Sequence, residues 1–195
     1  NNINNDRVLL MKKSLKIKIQ KIKNHKYRPK DFIIADAKDG DLAMGITTPG
    51  PIRNSKGEIS KGYKKLNDYK KSMMAMTKSK LVDIMLMSAS VGESLIQKKL
   101  FKDSSVTPAI RMNDTSDIWL MRNGNYRATN PRPFRSARIE AVNKLVNLGL
   151  FSVTFSKNVD FDLAMLNAYR DFRIEAVKYR FDHFLEIFNP PIDIG

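Results

Sequence analysis

The spacing Asp36-x-Lys38-x-x-Asp41, set in the stretch FIIADAKDGD (32–41), puts two carboxylates and an ammonium within six residues at the end of an apolar run. Such a trio can move protons. A lysine crowded by carboxylates stays charged and acts as an acid, whereas a desolvated one is freed as an amine nucleophile for Schiff-base formation. Lys157, just after the apolar run FSVTF (151–155), is the rival amine. Arg111 inside TPAIRM and Glu186 inside FLEIF raise a related problem, because a charge within a buried strand needs an opposite charge or a bound anion. Arg111 therefore either holds a substrate carboxylate or phosphate or pairs with Asp36 or Glu186, and both readings stay open.

These residues recur at one kind of place. DFIIAD (31–36), LVDIMLM (81–87), VTPAIRM (106–112), FSVTFSKN (151–158) and HFLEIFNP (183–190) read as short strands bounded by turn residues. Each ends on polar groups: Asp36, Lys38 and Asp41; Ser88 and Ser90; Asn113 and Asp114; Ser156, Lys157 and Asn158; Glu186 and Asn189. The N-terminal ends are blander. Between the strands, 63–79, 91–101, 133–149 and 160–181 carry helical spacing, with a Gly stop at Gly149 and a long stripe of Leu163, Leu166, Tyr169, Phe172 and Ala176. Residues 48–57, rich in Pro, Gly, Asn and Ser, read as a loop.

Strict alternation of strand and helix implies right-handed crossovers and a parallel sheet, and near-continuous apolar strands are those covered on both faces. No Gly-rich nucleotide-binding loop of the GxGxxG or GxxxxGK[ST] type occurs, so the expected fold is an α/β (β/α)8 barrel, whose active site gathers at the C-terminal ends of the strands. Five strand–helix units fall within 31–195, where a full barrel has eight. The expectation is an incomplete barrel, the N-terminal part of a longer enzyme or one completed by a partner, preceded by a basic helical arm over 1–30.

The chain has 195 residues, 42% hydrophobic and 28% charged, as ordinary globular domains do. It has no cysteine, which excludes disulfides and thiolate metal sites and makes a reducing cytoplasm the default compartment. His25 and His183 lack ligand spacing, so no His-based metal site or other cofactor is expected, although an all-oxygen Mg²⁺ site among the carboxylates stays open. No apolar run is long enough to span a membrane. The net charge of +15 is lysine-rich and concentrated in 12–30 and 56–80, which reads as solvated surface or a field for an anionic substrate rather than a nucleic-acid site. The segment 119–133, with Trp119, Tyr126, Arg122, Arg127 and Arg132, and Arg135 just beyond it, reads as a structural loop, a clamp over the site or, from its interleaved aromatics and arginines, an RNA contact.

Two resemblances sharpen this. Asp36-x-Lys38-x-x-Asp41 resembles the DxKxxD strand-end motif of the orotidine-phosphate decarboxylase and hexulose-phosphate synthase suprafamily, although there the motif lies on an internal strand. The run of FIIADAKDGDLAMGITTPGP, VDIMLMSAS, VTPAIRMNDTSDIW and HFLEIFNP is more similar to the class I aldolase-type barrels of the deoxyribose-phosphate and archaeal fructose-bisphosphate aldolase group. That similarity implies a carbon–carbon lyase whose Schiff-base lysine sits on a later strand than these. On this reading Asp36, Lys38, Asp41, Lys157 and Glu186 are the catalytic candidates. Ser88, Arg111, Asn113, Asp114 and Asn189 hold a small phosphorylated or carboxylated sugar-like substrate. The alternatives are a decarboxylase or synthase with Lys38 as proton donor, and a non-enzymatic basic RNA-binding protein. A homo-oligomer is compatible with each.

Overall fold

A computed structural model describes residues 12–114 and 133–188. Its centre is a five-stranded sheet of β1 (Ala35–Lys38), β4 (Ile84–Met87), β5 (Thr107–Arg111), β8 (Leu148–Thr154) and β9 (Asp182–Phe188), adjacent in that order. Every neighbouring pair is parallel, and the sheet curls into a half-barrel. Crossing helices α3 (Leu66–Ser79), α4 (Ala89–Gln97), the single turn α5 (Ile139–Val142) and α6 (Val159–Tyr179) connect the strands, as the alternating pattern requires. All residues of β4 and β8 are buried, which explains why both read as near-continuous apolar runs. Among the described residues the ring does not close: β1 and β9 are the two edges.

The first strand begins later than the apolar run suggests. Phe32 and Ile33 are exposed, and pairing starts only where the Ile34 amide donates to the Asp83 carboxylate at 2.8 Å. The strand is therefore the charged segment Ala-Asp-Ala-Lys itself. After it come the short helix α2 (Asp41–Met44) and, in place of the expected loop over 48–57, a hairpin of β2 (Pro51–Arg53) and β3 (Ile59–Tyr63). Asn54 holds the hairpin turn by accepting from the amides of Lys56 and Glu58, and Gly57 supplies the positive φ of 80°.

The expected helix over 133–149 is mostly not helical. Phe134–Arg135 (β7) pairs with Asn113–Asp114 (β6), and the Ser136 amide donates to the Met112 carbonyl, so the backbone is drawn alongside the end of β5. Gly149 does not stop a helix; it lies inside β8, where a Cβ would sit 2.6 Å from both Met112 Cγ and Phe181 Cε1. Only glycine lets those two side chains close over the strand.

In α6 the buried stripe also differs from the expected one. Met165, Phe172 and Ala176 face the sheet, with Phe172 against Phe151 at 4.8 Å, while Leu163 and Leu166 are 54% and 47% exposed. Both sets obey helical spacing, so periodicity alone did not choose between them.

Helix α1 (Ser14–Lys23) has no fully buried residue; it docks through half-buried Leu15, which packs against the core, and through polar contacts. Lys13 Nζ donates to the carbonyls of Phe101, Ser104 and Val106 at 2.7, 2.8 and 3.0 Å. Lys18 pairs with Asp83 at 2.6 Å, and Lys21 with Asp31. Part of the basic arm is thus spent on the fold. Lys13→Met strands three carbonyls and is expected to cost about 1–3 kcal/mol, whereas Lys12→Met, at an exposed position, should stay within about 0.5 kcal/mol. Urea denaturation of the two variants checks this; equal midpoints would mean that α1 is not held by Lys13.

Candidate active site

Register decides which way each charged side chain faces. Parallel pairing sets Asp36 beside Met85 and Lys38 beside Met87, and Met87 pairs in turn with Ile110, whose Cδ1 packs on Gly92 of α4. Asp36 and Lys38 therefore lie on the helix-facing side of the sheet. They form an ion pair, Nζ to Oδ1 3.1 Å, with side chains 26% (Lys38) and 16% (Asp36) exposed. Arg111 pairs in register with Leu150, on the opposite face, and Ser152 and Glu186 share that face.

On the helix side the carboxylates gather around Tyr69 from α3. Burial first, and then the charges of Asp41 and Asp39, push the Tyr69 phenol up to about 12, against the Gly40 amide that donates to its oxygen. Burial also raises Asp41 above the usual carboxylate range, opposed by the Ser88 hydroxyl, which donates to Oδ2 at 2.6 Å. The other oxygens of these groups, Asp36 Oδ2 and Asp41 Oδ1, are buried and accept from no described residue.

On the other face a continuous chain of polar contacts crosses three strands. Arg111 Nη1 donates to Asp39 at 2.7 Å, with both side chains 9% exposed, and its Nε donates to the Asn113 carbonyl at 2.7 Å. Asn113, fully buried, donates from Nδ2 to the Ser152 carbonyl and accepts the Ser152 amide, at 2.9 and 2.7 Å. It thus splices β6 to β8 as a backbone pair would. The Ser152 hydroxyl then donates to Glu186 at 2.9 Å. Asp39 joins the two groups: it pairs with Arg111 on one side, and its charge reaches Asp41 and Tyr69 on the other.

Of the residues singled out from sequence, the structure brings Asp36 and Lys38 into contact, Asp41 with Ser88, and Arg111 with Asn113 and, through Ser152, Glu186. It does not set Lys38 and Arg111 on one face. Arg111 pairs with neither Asp36 nor Glu186 but with Asp39, which the motif spacing skips. Tyr69 reads as part of the helix over 63–79 and Ser152 as an ordinary strand residue; a hydroxyl within an apolar strand was the available signal for Ser152, and nothing in the spacing singled out Tyr69. Lys157 is exposed, with a left-handed φ of 62°. Asp114 lies on β6, and Asn189 lies outside the described residues, as do Trp119, Tyr126, Arg122, Arg127 and Arg132. Arg135, grouped with that loop from sequence, pairs with Glu175 at 3.0 Å and lies over Phe172.

Among the described residues, no three His, Cys, Asp or Glu side chains converge as metal ligands would, and no helix is long and apolar enough to cross a membrane. What the rim offers is an amine, a high-pKa phenol and carboxylates in two environments, one ion-paired and one raised by burial. Neither a protein-family model nor a curated protein matches the chain.

Proposed function

We propose that this chain forms part of a (β/α)8 carbon–carbon lyase of aldolase type, acting on a small phosphorylated or carboxylated sugar-like substrate at the C-terminal rim of its parallel strands. The observation that carries the reading is the pair of buried carboxylate oxygens, Asp36 Oδ2 and Asp41 Oδ1, that accept no bond from any described residue beside an accessible amine, Lys38. Buried acceptors of this kind call for donors, and a polyhydroxylated substrate supplies hydroxyls. Asp36, Lys38, Asp41 and Tyr69 would handle proton transfer. Arg111, held by Asp39, fixes the rim's geometry, and the substrate's anionic end is left to Lys38 and the surrounding basic field. Strands pairing with the open edges β1 and β9 would complete the ring.

Borohydride reduction in the presence of ketose and aldose phosphates, followed by peptide mapping, tests the Schiff-base form. A covalent adduct on Lys38, the amine that lies beside the carboxylates, is expected, in place of the later-strand lysine that the aldolase resemblance implies. Absence of any adduct, with no carbon–carbon cleavage of those compounds, removes the aldolase reading. The contact between Lys38 and Asp36 favours one second reading, in which Lys38 protonates a carbanion left by decarboxylation. Lys38→Ala would then abolish turnover while leaving binding of the substrate intact.

A further inference from the structure

Helix α6 carries two apolar faces. At 100° per residue, Val159, Leu163, Leu166, Ile174 and Val177 fall within ~80° of one another, centred ~135° away from the Met165–Phe172–Ala176 face that packs on the sheet. All five are exposed, from 47% at Leu166 to 80% at Val159. In a barrel's outer layer the neighbouring helices run alongside α6, so around the α6 axis they lie roughly 90° from the face that packs on the sheet. The centre of this stripe points beyond such a neighbour, away from the sheet.

The stripe is symmetric about its own midpoint. With a two-fold axis passing near the level of Ala168, two antiparallel copies of α6 would set Val159 against Val177 and Leu163 against Ile174. Leu166 would lie against the aliphatic stem of Arg170, whose guanidinium is already neutralised by Asp171 at 3.1 Å. The charges match as well. Asp160 and Asp162 lie in the first turn, and Lys178 and Arg180 at the other end, so each acidic end would meet a basic end. The buried surface would be on the order of 1,000 Å² over both copies, near the lower limit for a specific interface.

We infer that the outward face of α6 is a homodimer interface, formed by antiparallel packing of α6 on α6 of a second copy of this chain. This does not depend on the proposed chemistry. In solution the chain should have about twice its 22.3 kDa mass by size exclusion with light scattering. Ile174→Glu with Val177→Glu, both at exposed positions, should halve that mass while leaving the circular dichroism spectrum unchanged. Because the chain has no cysteine, the register can be read directly. A mixture of Leu163→Cys and Ile174→Cys variants should oxidise to the mixed disulfide dimer, and Leu163→Cys alone should not cross-link. A monomer at micromolar concentration, or a dimer that survives the glutamate substitutions, overturns the inference; the second outcome would move the contact to the open sheet edges.

Discussion

Arg111→Met is expected to destabilise the protein by about 3–5 kcal/mol, because it strands the Asp39 carboxylate in a site that water barely reaches. Arg111 and Asp39 are each 9% exposed at the side chain and meet at 2.7 Å, so little solvent screening softens the loss. The Asn113 carbonyl loses its Nε donor at the same time. For a domain of this size the melting temperature should fall by roughly 6–20 °C. The double variant Arg111→Met/Asp39→Leu removes both charges and should recover most of the loss, since a buried pair replaced by apolar groups of similar size is often neutral. Urea and thermal denaturation of the three variants measure this. A single-variant loss below ~1 kcal/mol would mean that the pair behaves as an exposed one and does not hold β1 to β5.

Phe172→Ala should cost a comparable amount, about 3–5 kcal/mol, by a different route. Phe172 is fully buried, lies 4.8 Å from Phe151 and meets His183 edge-on at 5.1 Å, with the Arg135 guanidinium 5.0 Å above its ring. Its removal opens a cavity where α6 grips β8 and β9. Phe172→Leu, which keeps most of the volume, should lose less than half as much. A pH effect accompanies the truncation. Burial, and then the charge of Arg173, holds His183 below its ordinary value. The unfolded chain therefore takes up that proton first, and stability present above pH ~6.5 is lost as pH falls toward the lowered folded value. Letting water reach the imidazole should flatten that slope in Phe172→Ala. An unchanged slope would show that the ring does not keep His183 dry.

The helix–strand alternation was legible in the residues because periodicity is local. The spacing of apolar positions follows from the hydrogen-bond geometry of each element, so α3, α4 and α6 and the strands β4, β5 and β8 stand near where their patterns put them. Polar groups near the strand ends were legible too, and Ser88, Arg111, Asn113 and Glu186 all make contacts, but Asp36 and Lys38 lie on the other face of the sheet from Arg111 and Glu186, so the described strand ends do not share one mouth. Two misread segments show where local pattern fails. The apolar run Phe32–Ile33 looked like strand yet is exposed, because pairing with Asp83 and Ile84 begins one residue later. The stretch 133–149 had helical spacing, but Phe134–Ser136 is drawn alongside Met112–Asp114 and only the turn Ile139–Val142 is helical.

The sequence by itself determined the alternation of the main strands and helices and the parallel sheet. The tertiary structure alone decided which charges share a face, which carboxylate Arg111 takes, and which apolar stripe of α6 is buried. The reason is range. A shift of one residue in strand register turns every side chain to the other side, and the partner that sets the register lies tens of residues away. Asp39 and Arg111 are 72 positions apart, and no spacing rule within either segment connects them.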